Sequence, residues 1–276
     1  MSNLETKSGF VNAHTARLYY ETAGQGIPLV MIHAGVADSR QWNNEFASFA
    51  QKYHVVRYDM RGYGKSEPAD GEFSHMDDLL ALMDALAIHE PAVIMGCSMG
   101  GGLAMDFALT HPSRVRALIM VGSGPSGLKL DVPTSAKFAE VEKAFEAGDM
   151  DLVSELETQI WFDGTGRTPE QVDQSMRKLL YEMNRLALTH EVKQLGKRLP
   201  NTETPAFDRL SDLKIPVLIV VGEHDTPYIL AAADYMIERI PSAQKVIVND
   251  AAHLPNMDHP EEFQTLVTNF LEGLSS

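Results

Sequence analysis

Cysteine is nearly absent: Cys97 is the single one in 276 residues. An internal disulfide is therefore excluded, and the usage agrees with a reducing compartment. No apolar run approaches the roughly twenty residues that a membrane-crossing helix needs. Met1 to Gly9 is polar rather than a secretory leader, so a cytoplasmic location is expected. Positive charge is scarce as well. There are 23 Lys and Arg against 38 Asp and Glu, a formal net charge of -15, and no basic stripe. Nucleic acid and anionic membrane surfaces are poor partners for such a chain, because binding phosphate requires clustered cations. The acidity reads as a solubility feature. Internal repeats, low-complexity tracts and conspicuous linkers are missing, so nothing divides the chain into independent domains. No group of His, Cys or carboxylates has metal-ligand spacing, and no metal or other cofactor is expected. A homo-oligomer is left open.

What the chain does have is an alternation of short apolar runs and helical periodicity. Phe10-Val11 and Leu18 to Glu21 read as an antiparallel hairpin, and Pro28 to Ile32 and His54 to Tyr58 as buried strands. Met76 to Ala87 is an amphipathic helix that leads into the strand Ala92 to Met95, and Arg116 to Val121 follows as another strand. This pattern predicts an α/β architecture, a mostly parallel sheet with helices on both faces. It breaks after Val121. From Ser135 to about Leu199 the spacing predicts helix almost throughout: one helix through Phe138, Val141 and Phe145, a second through Leu152, Leu156 and Ile160, a third from Val172 to Met183. Gly148 and Gly164-Thr165-Gly166 separate them. Alternation resumes with strands at Val217 to Val221 and Lys245 to Val248 and helices at Pro227 to Ile240 and Pro260 to Leu271. The expected division is a core of residues 1–123 and 206–276 with an inserted helical cap of residues 124–205.

The stretch Gly96-Cys97-Ser98-Met99-Gly100 carries the chemistry. A glycine-rich turn could contain a serine by accident, but this one stands between a buried strand and a helix. A turn so sharp strains the serine backbone and leaves no room for side chains two residues either side, where Gly96 and Gly100 stand. Ser98 is the expected nucleophile, and the Met99 N–H, at the positive end of the following helix, an expected oxyanion donor. The small-residue loop His33-Ala34-Gly35-Val36 is the second source of such a donor, assigned to Gly35 with Ala34 as the weaker candidate. Two further loops follow strands on the same sheet edge, Gly222-Glu223-His224-Asp225 and Asn249 to Pro255. His253 is the expected general base and Asp225 its orienting acid, Glu223 and Asp250 being the rivals. His33 reads as a loop-bracing donor. Asp59 to Ser66 lacks phosphate-loop spacing and reads as structural, Asp59 and Arg61 bracing the turn.

On these residues the chain resembles the α/β-hydrolase-fold serine hydrolases over essentially its whole length. It is similar in particular to small bacterial carboxylesterases, 3-oxoadipate enol-lactonases and cofactor-free haloperoxidases or perhydrolases. The resemblance rests on His33 to Val36, Asp59 to Ser66 (D-x-R-G-x-G-x-S), Gly96 to Gly101, Gly222 to Asp225 and Ala252-His253, with Ala34 standing where the family usually has glycine. It implies an eight-stranded sheet with an inserted cap set over the serine. It also excludes relatives: dehalogenases and epoxide hydrolases of this fold carry aspartate at the elbow, and proline iminopeptidases tryptophan after the serine. A carboxylesterase acting on small to medium esters through an acyl-enzyme on Ser98 is the favoured reading, with a small-molecule ester as its partner. An enol-lactonase, or a related ring-opening or carbon–carbon hydrolase of aromatic catabolism, is the alternative. It would require a cation in the pocket, for which Arg185 and Arg198 are candidates. A third reading, from another class, is a ligand receptor that signals through lid movement. Ala34 and Trp161 are the expected substrate contacts, Trp161 because Gln159 to Gly164 resembles a tryptophan-containing cap segment of the enol-lactonase-like enzymes. Phe162, Met176 and Met183 are further candidates for an apolar pocket, although for most of them packing within the cap is the favoured role.

Overall fold

The structure is a computed structural model that describes residues 5–68, 71–192 and 196–274. In chain order its strands are β1 (Lys7–Ala13), β2 (Ala16–Ala23), β3 (Pro28–Ile32), β4 (His54–Tyr58), β5 (Glu72–Phe73), β6 (Ala92–Cys97), β7 (Val115–Val121), β8 (Lys197–Arg198), β9 (Val217–Gly222) and β10 (Ala243–Val248). The helices are α1 (Asn43–Phe49), α2 (His75–Ala85), α3 (Met99–Thr110), α4 (Lys137–Glu146), α5 (Met150–Thr158), α6 (Gln174–Glu191), α7 (Pro227–Arg239), α8 (Pro255–Asp258) and α9 (Pro260–Gly273). Eight strands form one sheet in the order β1-β2-β4-β3-β6-β7-β9-β10. The hairpin β1–β2 and the β2–β4 pair are antiparallel, and every pairing from β4 to β10 is parallel.

Every residue of β3, β6 and β9 is buried, because helices cover both sheet faces. The strand period of two divides their side chains cleanly. Val30, Ile32 and Ile94 meet Leu79, Leu82, Leu103, Phe107 and Met236 of α2, α3 and α7. Leu29, Met31, Val93 and Met95 meet Phe46, Phe49, Phe263 and Val267 of α1 and α9. The chain leaves β3 toward α1 and leaves β6 toward α3, on opposite faces of neighbouring strands. A crevice opens at the carboxyl ends of such a strand pair, which is where ligands bind in open parallel sheets.

The cap carries the three expected helices, α4, α5 and α6, broken at Gly148 and again at Gly164 to Gly166, and departs from expectation in its connections. A single π-helical turn, Gln159–Asp163, ends α5. Residues 164–173 then run as turns and a 3-10 segment, and α6 ends at Glu191. The return path forms β8, which pairs in parallel with β5, so the outgoing cap is laced to the loop before α2. The cap's own core is small, centred on Ala144, Met150, Val153, Leu156 and Leu188. Arg177 reinforces it, holding Glu155 at 2.6 Å and Asp163 at 2.9 Å. The two crossings between cap and core meet at Ser126, whose carbonyl accepts from Phe207 N and whose hydroxyl oxygen accepts from Ala206 N. Among the described residues no helix is long and apolar enough to cross a membrane.

Candidate active site

Ser98 sits at the β6–α3 junction with φ 51° and ψ -114°, a conformation that L-residues adopt only under strain. The packing around the turn enforces it. A Cβ at Gly96 would lie 2.2 Å from the Gly100 carbonyl oxygen, and one at Gly100 would lie 2.5 Å from that of Ile32. Both are backbone atoms that cannot swing aside. The Ser98 N–H donates to the Val121 carbonyl at 2.8 Å, and its own carbonyl accepts from Ser123 Oγ at 2.8 Å. Between Val121 and Ser123, Gly122 (φ 50°) makes room for the histidine: a Cβ there would stand 2.6 Å from the His253 carbonyl oxygen and 3.0 Å from Nδ1.

His253 and Asp225 are both almost fully buried. His253 Nδ1 lies 2.9 and 3.0 Å from the two carboxylate oxygens of Asp225. An ionised carboxylate only accepts, so Nδ1 carries the proton and Nε2 is left as the acceptor. Thr226 N–H donates to Asp225 Oδ1 at 2.7 Å and fixes the carboxylate. The rival acids are engaged elsewhere: Glu223 accepts from Asp250 N, and Asp250 lies 3.4 Å from His224 Nε2. No hydrogen bond joins Ser98 Oγ to the imidazole in this conformation; such bonds commonly form only once substrate is bound.

In the loop after β3, His33 has the bracing role expected of it. Its Nδ1–H donates to the Ala34 carbonyl at 2.7 Å and Nε2 accepts from Met60 N at 2.9 Å, while burial lowers its pKa and favours the neutral ring. Ala34 does not serve as expected. It is fully buried and its N–H donates to Gln41 Oε1 at 2.8 Å, so it offers a substrate neither surface nor donor. Gly35 stands directly against Met99, and neither of their N–H groups has a protein acceptor among the described residues. Asp59 braces the next loop, accepting from Ser39 N and Lys65 N at 2.8 and 2.7 Å, and Arg61 is bound to Asp78 in the interior. Cys97 packs behind the elbow, and burial pushes its thiol up to about 12.

The cap reaches this cluster through a segment whose role the sequence did not disclose. Trp161, in the π turn, lies with its ring centroid 4.4 Å from that of His253. His253 N–H donates to the Trp161 carbonyl at 3.2 Å, and Thr165 N–H to the His224 carbonyl at 2.7 Å. Arg167 fastens the same segment to the histidine loop, reaching Asp258 at 2.7 Å, the carbonyls of Phe162 and Asp163 at 2.8 Å, and that of Asp250. Phe162 and Met183 are fully buried and join the sheet core, and Met176 packs partly buried against it, the packing role favoured for most of these side chains. A groove of about 720 Å³ opens at Gly35, between the cap and the loop after β4, and its wall is mixed, with Phe73, Phe145 and Leu188 beside Tyr63, Glu157, Asn184 and His190. Burial raises the Glu157 carboxyl, and Asn184 donates to it at 2.7 Å. Of the two arginines considered, Arg185 is bound to Asp151 at the outer surface. Arg198 is exposed, with Nη1 2.9 Å from Met99 Sδ, and has no carboxylate partner among the described residues. Among those residues no three His, Cys, Asp or Glu side chains gather as metal ligands.

A strained serine on a strand-to-helix turn, on the parallel-sheet edge that also holds a buried Asp–His pair, defines the α/β hydrolase class. Residues 27–260 match the profile described as "alpha/beta hydrolase fold", and the chain belongs to that family. Among curated proteins it is 29% identical, over 91% of its length and 98% of the relative's, to the pimeloyl-[acyl-carrier protein] methyl ester esterase of Aeromonas hydrophila. It is 28% identical, over 92% of its length and 90% of the relative's, to a 2-hydroxy-6-oxononadienedioate/2-hydroxy-6-oxononatrienedioate hydrolase of Dechloromonas aromatica. Among solved structures, Est816, described as an N-acyl homoserine lactone degrading enzyme, superposes with a TM-score of 0.75 at 27% identity, over 95% of this chain and all of its own.

Proposed function

We propose that the protein is a serine hydrolase that cleaves carboxylic esters of small to medium acyl chains through an acyl-enzyme on Ser98. The observation that carries this reading is the buried Asp225–His253 pair, 2.9 Å apart, packed against the glycine that adjoins the strained serine turn. Ser98 Oγ attacks the ester carbonyl carbon while His253 Nε2 takes its proton, and Asp225 holds Nδ1–H and stabilises the imidazolium. The N–H groups of Gly35 and Met99 receive the oxyanion. Collapse expels the alcohol, which takes the proton from Nε2, and a water molecule then repeats the sequence on the acyl-enzyme. The esterase among the relatives supports the bond type.

A second reading is favoured by Arg198. A guanidinium whose neighbour is a thioether, one residue beyond Ser98, is a ready site for a carboxylate on the substrate. A dioate hydrolase and a lactone-degrading enzyme are among the similar proteins.

One experiment addresses both readings: p-nitrophenyl esters from acetate to decanoate, a monoester of a dicarboxylic acid and a lactone bearing a carboxylate, offered to wild type, Ser98→Ala and Arg198→Gln. The ester reading expects turnover of neutral esters with a chain-length optimum, reduced at least about a thousandfold in Ser98→Ala. Activity confined to the acidic substrates and weakened by Arg198→Gln would select the second. Full turnover by Ser98→Ala would refute the nucleophile.

A further inference from the structure

Trp161 of the cap packs directly against the imidazole of His253. The two ring centroids are 4.4 Å apart, with the planes inclined at 41°. Trp161 is itself held in place. Its carbonyl accepts the His253 N–H, and the edge of Phe138 abuts its ring at a centroid distance of 5.7 Å. It also belongs to the π turn Gln159–Asp163, a distortion that helices commonly carry where a side chain must be re-aimed at a functional site.

His253 is 1% exposed, so water does little to solvate a charge on its ring. Asp225 faces Nδ1 of that ring. The charged groups on the packed elements are otherwise engaged: Asp163 with Arg177, and Arg167 with Asp258 and the Asp250 carbonyl. From the strand side come Gly122 and Cys97, both uncharged at neutral pH, the thiol because burial pushes it up. The ring is therefore met by a carboxylate at one edge and an indole against it.

We propose that Trp161 is a positioning residue that acts through His253, its π face stabilising the imidazolium formed when Ser98 gives up its proton. The inference rests on the catalytic reading above. An indole attracts a cation through its quadrupole more strongly than it attracts the neutral imidazole packed in the same place. The attraction therefore grows as the proton moves from Oγ to Nε2, and a contact that strengthens along that coordinate raises kcat without tightening substrate binding. It also gives a reason for stitching the cap to the histidine loop through Trp161, since a freely moving lid could not hold a ring at this distance.

The test varies the quadrupole and leaves the shape in place. Trp42 and Trp161 are the only tryptophans, so the protein can be produced with mono-, di- and trifluorotryptophan. We expect kcat on a neutral p-nitrophenyl ester to fall stepwise with fluorination, to about tenfold below wild type at the end of the series, with KM and melting temperature steady. Trp161→Phe carries the label only at Trp42, and its activity should ignore fluorination. Trp161→Leu should lose about tenfold in kcat, and Trp161→Phe should recover part of it. A kcat independent of fluorination, or an effect confined to KM, would overturn the proposal, the latter by making Trp161 a substrate contact. Turnover surviving in Ser98→Ala would instead strike the catalytic reading, so the two failures are distinguishable.

Discussion

Adding one methyl group at Gly100 is expected to destroy the site. The new Cβ would stand 2.5 and 2.6 Å from the carbonyl oxygens of Ile32 and His33, and neither the elbow nor β3 can retreat without parting the sheet. Two turns of chemistry away in effect but only two residues along the chain, Gly102 is the control, since a Cβ there meets nothing closer than the Gly124 carbonyl oxygen at 3.8 Å. Gly100→Ala should lower stability by about 2–4 kcal/mol and abolish ester turnover, whereas Gly102→Ala should fold and turn over normally. Thermal unfolding and kcat/KM measured on both variants check this, and a fully active Gly100→Ala would refute the steric account of the turn. The roles of Gly96 and Gly100 were legible in the sequence because close backbone approach leaves a compositional trace. The role of Ala34 was not. A methyl-bearing residue in a small-residue loop looks the same whether its N–H faces a ligand or, as here, the Gln41 side chain.

At the scale of elements, the buried parallel strands announced themselves through short apolar runs, whereas the edge hairpin was read at Phe10-Val11 and Leu18 to Glu21 and runs over Lys7–Ala13 and Ala16–Ala23, its polar ends leaving no apolar trace. Two features of the cap were silent. The β5–β8 ladder is two residues long, too short to generate any periodicity. The segment from Trp161 to Arg167 is held by bonds from its backbone and from the Arg167 side chain to loops about sixty to ninety residues distant, which no local pattern encodes. Arg167 is its fastening, buried with the carboxylate of Asp258 and three carbonyl oxygens as partners. Arg167→Met keeps the apolar stem and orphans all four. The expected result is a loss of about ten- to hundredfold in kcat/KM, with faster hydrogen exchange at the Thr165 and His253 amides. Unchanged exchange together with unchanged kinetics would show that the cap holds its place without this arginine.

For the whole molecule, the consequential polar group is a buried carboxyl behind the loop that presents Gly35. Glu45 of α1 is completely buried, and burial raises its carboxyl to about 8 against an ordinary value of 4.5. Asn256 of α8 donates to Glu45 at 3.3 Å and to the Gln41 backbone carbonyl at 2.9 Å, and the Gln41 side-chain amide donates to Asn256 at 3.2 Å while its oxygen accepts from Ala34 N. One buried network thus joins α1, the loop that presents Gly35 and the helix that follows His253. Between pH 4.5 and about 8 the folded carboxyl keeps a proton that the unfolded chain has released, so unfolding sheds protons and stability falls as pH rises through that window. Burial raises Asp106 and Glu157 in the same direction, and the excess of negative charge adds repulsion as carboxyls ionise. The protein should therefore be more stable near pH 5 than near pH 9. Glu45→Gln keeps the shape and an acceptor oxygen while removing the titration. It should gain about 1–3 kcal/mol over wild type at pH 9 and almost nothing at pH 5. Urea unfolding at the two pH values measures both arms, and a gain of equal size at each would mean that shape rather than ionisation limits this network.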